Sequence, residues 1–223
     1  MGFVFGLVYP RYNRSEEFQP NHLYINMAVA VPKSKPRLSS TALRKLIAPF
    51  KVDRTTYPIV IVGIRGYYLN TMGKGKVNDR GIYDDALFID APEVTVSYNA
   101  NTDPSYVRRG KGKGSGKGMA TLKPGLWIVH KFDLHRGKYL ALCQRLGEVT
   151  VVRDGSPDYD DSGNFGINIH RGSFNSTSSE GCQTIHPTQW ESFITLAQDQ
   201  AKRHFGSRWN KVAIPYILIE NKE

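Results

Sequence analysis

Residues 166–190 read GINIHRGSFNSTSSEGCQTIHPTQW, and their punctuation sets the plan of the chain. Side chains alternate over 165–170. Phe165, Ile167 and Ile169 fall on one face and Gly166, Asn168 and His170 on the other, so a strand delivers His170 to the more polar side. A run of small hydroxyl residues follows. Gly181 and Cys182 then open a second apolar segment, where Cys182, Thr184 and His186 share a face if the strand starts there. Thr188 as N-cap, Glu191 as its capping-box partner, and Trp190, Phe193, Ile194 and Ala197 on one stripe predict a helix that stops near Gly206. If the two strands are neighbours, the loop at 171–180 brings the Cys182 thiol to the His170 ring.

The same strand grammar runs through the rest of the chain. YINMAVAV (24–31), YPIVIVGI (57–64), ALFID (86–90), VTVSYNA (94–100), GLWIVHKFDL (125–134), VTVVRD (149–154) and VAIPYILIE (212–220) are short apolar or alternating runs between Gly, Pro, Asn and Asp. A second helix is expected at SSTALRKLIAPF, starting at a Ser cap and interrupted by Pro49. The expected architecture is mainly β with flanking helices, an α+β chain. A domain over 56–223 follows an N-terminal extension, 1–55, that packs on it.

Length and composition suit one globular domain: 223 residues, 40% hydrophobic and 11% aromatic. No run approaches the roughly 18 apolar residues that span a bilayer, so stable membrane insertion is not expected. The start, MGFVFGLVYPRYNR, lacks a basic n-region and meets Pro10 early, so it reads as a strand rather than a signal peptide. Synthesis in a cytoplasm is the corresponding expectation. Cys143 and Cys182 cannot build a disulfide framework, and Cys143, inside YLALCQRL, reads as a packing residue.

The net charge of +10, from 30 Lys and Arg against 20 Asp and Glu, favours a polyanionic partner such as an anionic bacterial envelope. RRGKGKGSGKG (108–118) concentrates that charge. It lacks the spacing of a phosphate-cradling loop and reads as a solvated hairpin tip, with an electrostatic contact as the alternative. No aromatic residues interleave it, so a nucleic-acid stacking surface is not expected. DYDDSG (158–163) fails the calcium-loop template at Ser162 and Ile169 and reads as an acidic loop between strands.

A thiol of ordinary pKa, about 8.5, is mostly protonated at neutral pH, yet the thiolate is the nucleophile. An adjacent imidazole can take its proton and hold an imidazolium–thiolate pair. Gly181, without a Cβ, lets a carbonyl approach the backbone, and the Gly181 and Cys182 N–H groups could then cradle an oxyanion. Packing roles for both residues, or a metal held by His170, Cys182 and His186, remain open at this level; the latter lacks a clear fourth ligand.

IHRGSFNSTSSEGCQTI resembles the signature of the L,D-transpeptidase catalytic-domain family. His170 matches the catalytic His, Ser179 the Ser/Thr, Gly181 the Gly and Cys182 the nucleophile. Glu180 replaces the His that normally precedes Gly-Cys, and Thr184 stands where Asn is common. GYYLNTMGKGKVNDRGIYDDALFI, NANTDPS and ATLKPGLW are similar to a subgroup found in phage lysis proteins, so the resemblance covers roughly 57–195. It implies an L,D-transpeptidase-like mixed β-sandwich or barrel and a cysteine peptidase or transpeptidase of peptidoglycan stem peptides, with no cofactor. In this chemistry Cys182 attacks a diaminopimelate carbonyl, His170 is the base, and a backbone carbonyl of Arg171 or Gly172 orients the imidazole. The Glu180 departure favours hydrolysis over transfer to an amine. Ser179, Glu180 and Gln183 are the expected substrate neighbours of the nucleophile. Arg80, Tyr83 and Asp84, in NDRGIYDD, are expected either to bind stem-peptide carboxylates or to form a buried salt-bridged turn. A non-catalytic polyanion-binding module is the reading that competes with an enzyme.

Overall fold

The computed structural model describes residues 28–112 and 116–221. Among these, eight strands close into a barrel in the order β1-β11-β5-β6-β9-β10-β3-β2, and β4-β7-β8 form a small separate sheet. The barrel strands are β1 (Val60–Arg65), β2 (Asp85–Asp90), β3 (Thr95–Asn101), β5 (Gly125–His135), β6 (Tyr139–Gln144), β9 (Ile169–Arg171), β10 (Gln183–Ile185) and β11 (Ile214–Glu220); the small sheet holds β4 (Ala120–Leu122), β7 (Val149–Arg153) and β8 (Tyr159–Gly163). Closure leaves the barrel no unpaired edge. Two of its seams, β1 with β11 and β9 with β10, are parallel. In β11 the register with β5 shifts between Ile214 and Tyr216, at Pro215, which has no N–H to give the ladder.

One hydrophobic core gathers Ile61, Leu87, Ile89, Tyr98, Ile169, Ile185 and Leu218 from the barrel with Leu122, Val149 and Val151 from the small sheet. The helix α2 (Pro187–Phe205) adds Trp190, Phe193, Ile194, Ala197 and Ala201, the stripe expected of an amphipathic helix. The helix α1 (Ser40–Ile47) lays Leu43 and Ile47 on a second cluster formed by Val60, Val62, Ala86, Phe88 and Ile217. Ser39 caps α1 by accepting from the Ala42 N–H at 3.1 Å, and Pro49 falls in the 3-10 turn Ala48–Phe50 that ends it. No helix among the described residues is long and apolar enough to cross a membrane.

Several local expectations are corrected. Helix α2 is capped by His186, whose ring accepts from the Thr188 N–H, so Thr188 lies inside the helix. All of DYDDSG but Asp158 is β8, not a loop: Tyr159–Gly163 pairs with β7, and Asp160 and Asp161 are neutralised by Lys123, Lys117 and Arg153. Cross-strand charge pairing lets so acidic a segment join a sheet. Residues 28–31 hold no strand, only isolated bonds such as Tyr83 N–H to Ala30 O, while 24–27 and the strand expected near the start lie outside the described residues. YLALCQ supplies β6, and Cys143 is fully buried in the core as a packing residue. In the basic run, the described residues flanking 113–115 pair with each other, Gly112 N–H donating to Gly116 O, and Asp154 accepts the Arg108 N–H.

Candidate active site

Strands β9 and β10 pair in parallel, Ile169 opposite Gln183 and His170 opposite Thr184. Extending that register sets Cys182 opposite Asn168. Cys182 and His170 therefore lie on one face, offset by two residues, roughly 8 Å between Cα atoms on neighbouring strands. Both line a cavity of about 600 Å³ together with Gly166, Asn168, His135, Arg136 and Glu180. A second cavity of about 540 Å³, bordered by Ile47, Val52 and Pro92 beside α1, shares no residue with it and is lined by no Cys, Ser or His.

The loop between the two strands is small because it is packed, not because it is loose. The Tyr83 hydroxyl enters it, donating to Ser173 O and accepting from the Ser173 N–H at 3.0 Å. A Cβ on Gly172 would strike that hydroxyl. Ser105 bonds Thr177 and accepts from the Ser179 N–H at 2.8 Å. The Ser179 hydroxyl donates to Cys182 O at 2.7 Å and accepts from the Gly181 N–H at 3.0 Å, locking the turn that carries Cys182. Gly181 has φ +150, and a Cβ there would collide with the Ala120 carbonyl, so the position requires glycine.

His170 is 4% exposed, and its Nδ1 lies 2.8 Å from Arg171 O. That carbonyl can only accept, so Nδ1 carries the hydrogen and Nε2 is the bare nitrogen of a ring that lines the cavity. The base is thereby held in the tautomer that can take a proton. The Cys182 thiol donates to Gly166 O at 3.3 Å, and its sulfur accepts from the Asn168 N–H at 3.4 Å. Burial pushes the thiol up to about 11 and, helped by the neighbouring His135 and opposed by the Arg171 carbonyl, holds the imidazole down at about 4. The expected standing imidazolium–thiolate pair is thus replaced by two neutral groups, and the thiol rests on a carbonyl rather than on the ring.

The structure also redistributes the other expected site residues. Gln183 points into the barrel, fully buried, donating to Gly181 O and accepting from the Tyr216 hydroxyl at 2.8 Å. Tyr83 and Ser179 hold the loop rather than face the cavity. Arg80 forks onto both oxygens of Asp154, at 2.7 and 2.8 Å. Asp84 is buried, accepting from the Asp79 N–H, and burial raises its pKa to about 7. NDRGIYDD is therefore a salt-bridged turn, and its assignment to substrate carboxylates is withdrawn. The Gly181 N–H, engaged by Ser179, is not free as an oxyanion donor, whereas the Cys182 N–H makes no hydrogen bond among the described residues. Glu180 does sit at the cavity rim, half paired with Arg108 at 3.0 Å. His186 caps α2 and packs against Tyr83 and Phe174, so it does not join His170 and Cys182 as a ligand set.

Three participants were not singled out from sequence. Asn168 bonds the sulfur through its backbone N–H. His135 stacks on His170, ring centroids 4.1 Å apart. Arg136, in the β5–β6 turn, forms no ion pair among the described residues and joins Arg108, Lys117 and Arg153 in giving the cavity a cationic lining. Comparison of the chain with protein-family models, curated protein sequences and solved structures finds no match.

Proposed function

We propose that this protein is a cysteine peptidase of peptidoglycan, L,D-transpeptidase-like in fold and chemistry, that cleaves stem peptides at a diaminopimelate carbonyl. One observation carries the reading: a thiol and an imidazole held in the proton-accepting tautomer share one cavity with a cationic lining. A stem peptide suits that cavity because its free carboxylates meet Arg136 and its neighbours. Cys182 leaves Gly166 O, transfers its proton to His170 Nε2 and adds to the carbonyl, while the Cys182 N–H receives the oxyanion. His170 then protonates the departing amine. Water resolves the thioester, again with His170 as base; an amine in that place would form a cross-link instead. A lytic role at the wall, as in the phage proteins whose sequences this chain resembles, follows from hydrolysis.

The test is digestion of purified sacculi followed by mass spectrometry of the products. Wild-type protein should release hydrolysed stems, and Cys182→Ala, folded by circular dichroism, should release none. Equal turbidity clearance by that variant refutes the mechanism, and newly joined stems would make the protein a transpeptidase. The competing polyanion-binding reading requires envelope binding without any product.

A further inference from the structure

An acyl-transfer site needs donors aimed at the oxygen that becomes negative, and here one of the two expected backbone donors is occupied. Gly181 N–H bonds Ser179 Oγ, which leaves the Cys182 N–H. A second donor is available from β5. His135, the last residue of that strand, lines the cavity and stacks on His170 with 22° between the rings. Its tautomer is dictated by a short chain of contacts. The Gln144 N–H donates to Asn168 Oδ1 at 2.9 Å, so the Asn168 amide must direct its NH₂ elsewhere. It directs it at His135 Nδ1, 3.1 Å away. Nδ1 is therefore an acceptor, the ring hydrogen sits on Nε2, and a proton added at Nδ1 would face another donor. Nε2–H is thus the ring's one donor, and His135 lines the same cavity as Cys182.

We propose that His135 is a further catalytic residue, whose Nε2–H hydrogen-bonds the carbonyl oxygen of the acyl group as Cys182 adds to it. The inference rests on Cys182 acting as an acyl-transfer nucleophile. As the S–C bond forms, the carbonyl π pair moves to oxygen, the thiol proton goes to His170 Nε2, and His135 and the Cys182 N–H share the new negative charge. The pair returns when the carbonyl re-forms and the leaving group departs with the proton from His170. A neutral, stacked His135 suits this step, because it can lie beside His170 while that ring is briefly cationic. Asn168 serves both residues, fixing His135 through its side chain and contacting the sulfur through its backbone.

Two reagents separate this role from a structural one. p-Nitrophenyl acetate acylates a thiol through an oxyanion, whereas iodoacetamide alkylates it without one. With the Cys182→Ala rate subtracted, His135→Phe, which keeps a flat ring against His170, should lower acetylation of Cys182 on the order of 100-fold, the usual loss for one oxyanion donor. Alkylation should stay within about twofold, since that reaction builds no charge on oxygen. His135→Gln, with an amide donor, should recover part of the acetylation rate. If His135→Phe does not fold, His135→Leu reads the same two rates. Equal acetylation by wild type and His135→Phe, a parallel fall in both reactions, or a wild type that p-nitrophenyl acetate cannot acetylate overturns the proposal. His135-dependent acetylation by a protein that leaves sacculi intact would instead refute the peptidoglycan reading alone.

Discussion

Raising the pH should increase the reactivity of Cys182 without a plateau until strongly alkaline conditions. The thiol is held at about 11, well above its ordinary value, and the His170 imidazole at about 4, well below its own, with burial the leading cause in both. Transferring the proton across that gap costs on the order of 10 kcal/mol at 1.36 kcal/mol per decade. Even in direct contact, attraction between the resulting charges would return only about 4 kcal/mol at an effective dielectric of 20. The neutral pair therefore wins by several kcal/mol, and at pH 7 the thiolate fraction should lie about 100-fold below that of a thiol at its ordinary value. The assay is the iodoacetamide rate at Cys182 from pH 5 to 10, followed by peptide mass spectrometry so that buried Cys143 does not contribute. A logarithmic rate rising about tenfold per pH unit supports a thiol activated only during attack. A rate that levels off below pH 7 would reveal a standing ion pair and refute the electrostatic reasoning.

Three further outcomes test the surrounding structure. Gly181→Ala, forcing a Cβ into the Ala120 carbonyl, should cost about 2 kcal/mol and lower the melting temperature by roughly 4–8 °C by calorimetry. Arg80→Met leaves the buried Asp154 carboxylate without its fork and should cost about 2–3 kcal/mol in urea unfolding while leaving Cys182 alkylation unchanged; lost reactivity with unchanged stability would restore Arg80 to the site. Burial holds His130 at about 4 against 6.5, so its contribution is fully present above pH 6.5 and is lost as the pH falls toward 4. The stability difference between wild type and His130→Gln should shift by about 2 kcal/mol against the wild type between pH 7.5 and pH 5. Taking that difference cancels the opposite effect of Asp84 and Asp85, whose raised pKa values make them stabilising as the pH falls.

Local chemistry made much of this protein readable in one dimension. Period-two alternation marked Ile167 and Ile169 for the core and Asn168 and His170 for the other face. The 3.6-residue period marked Trp190, Phe193, Ile194 and Ala197. A Gly-Cys pair after a run of small residues marked Cys182, which the fold places in a cavity with His170. These signals are legible because each depends on neighbours a few residues apart. Strand β8 was missed because its carboxylates join a sheet only when Lys117, Lys123 and Arg153 arrive from elsewhere. Gln183 and Tyr83 look like polar residues free for substrate until Tyr216 and the loop at 172–176 close around them. His135, 35 positions from His170, had no local mark at all, and only barrel closure stacks the two rings. Sequence alone determined which atoms can react, because nucleophile and base are properties of residue types. Tertiary structure decided which protonation state each holds and which donors are free, because desolvation and hydrogen-bond saturation belong to the packed surroundings.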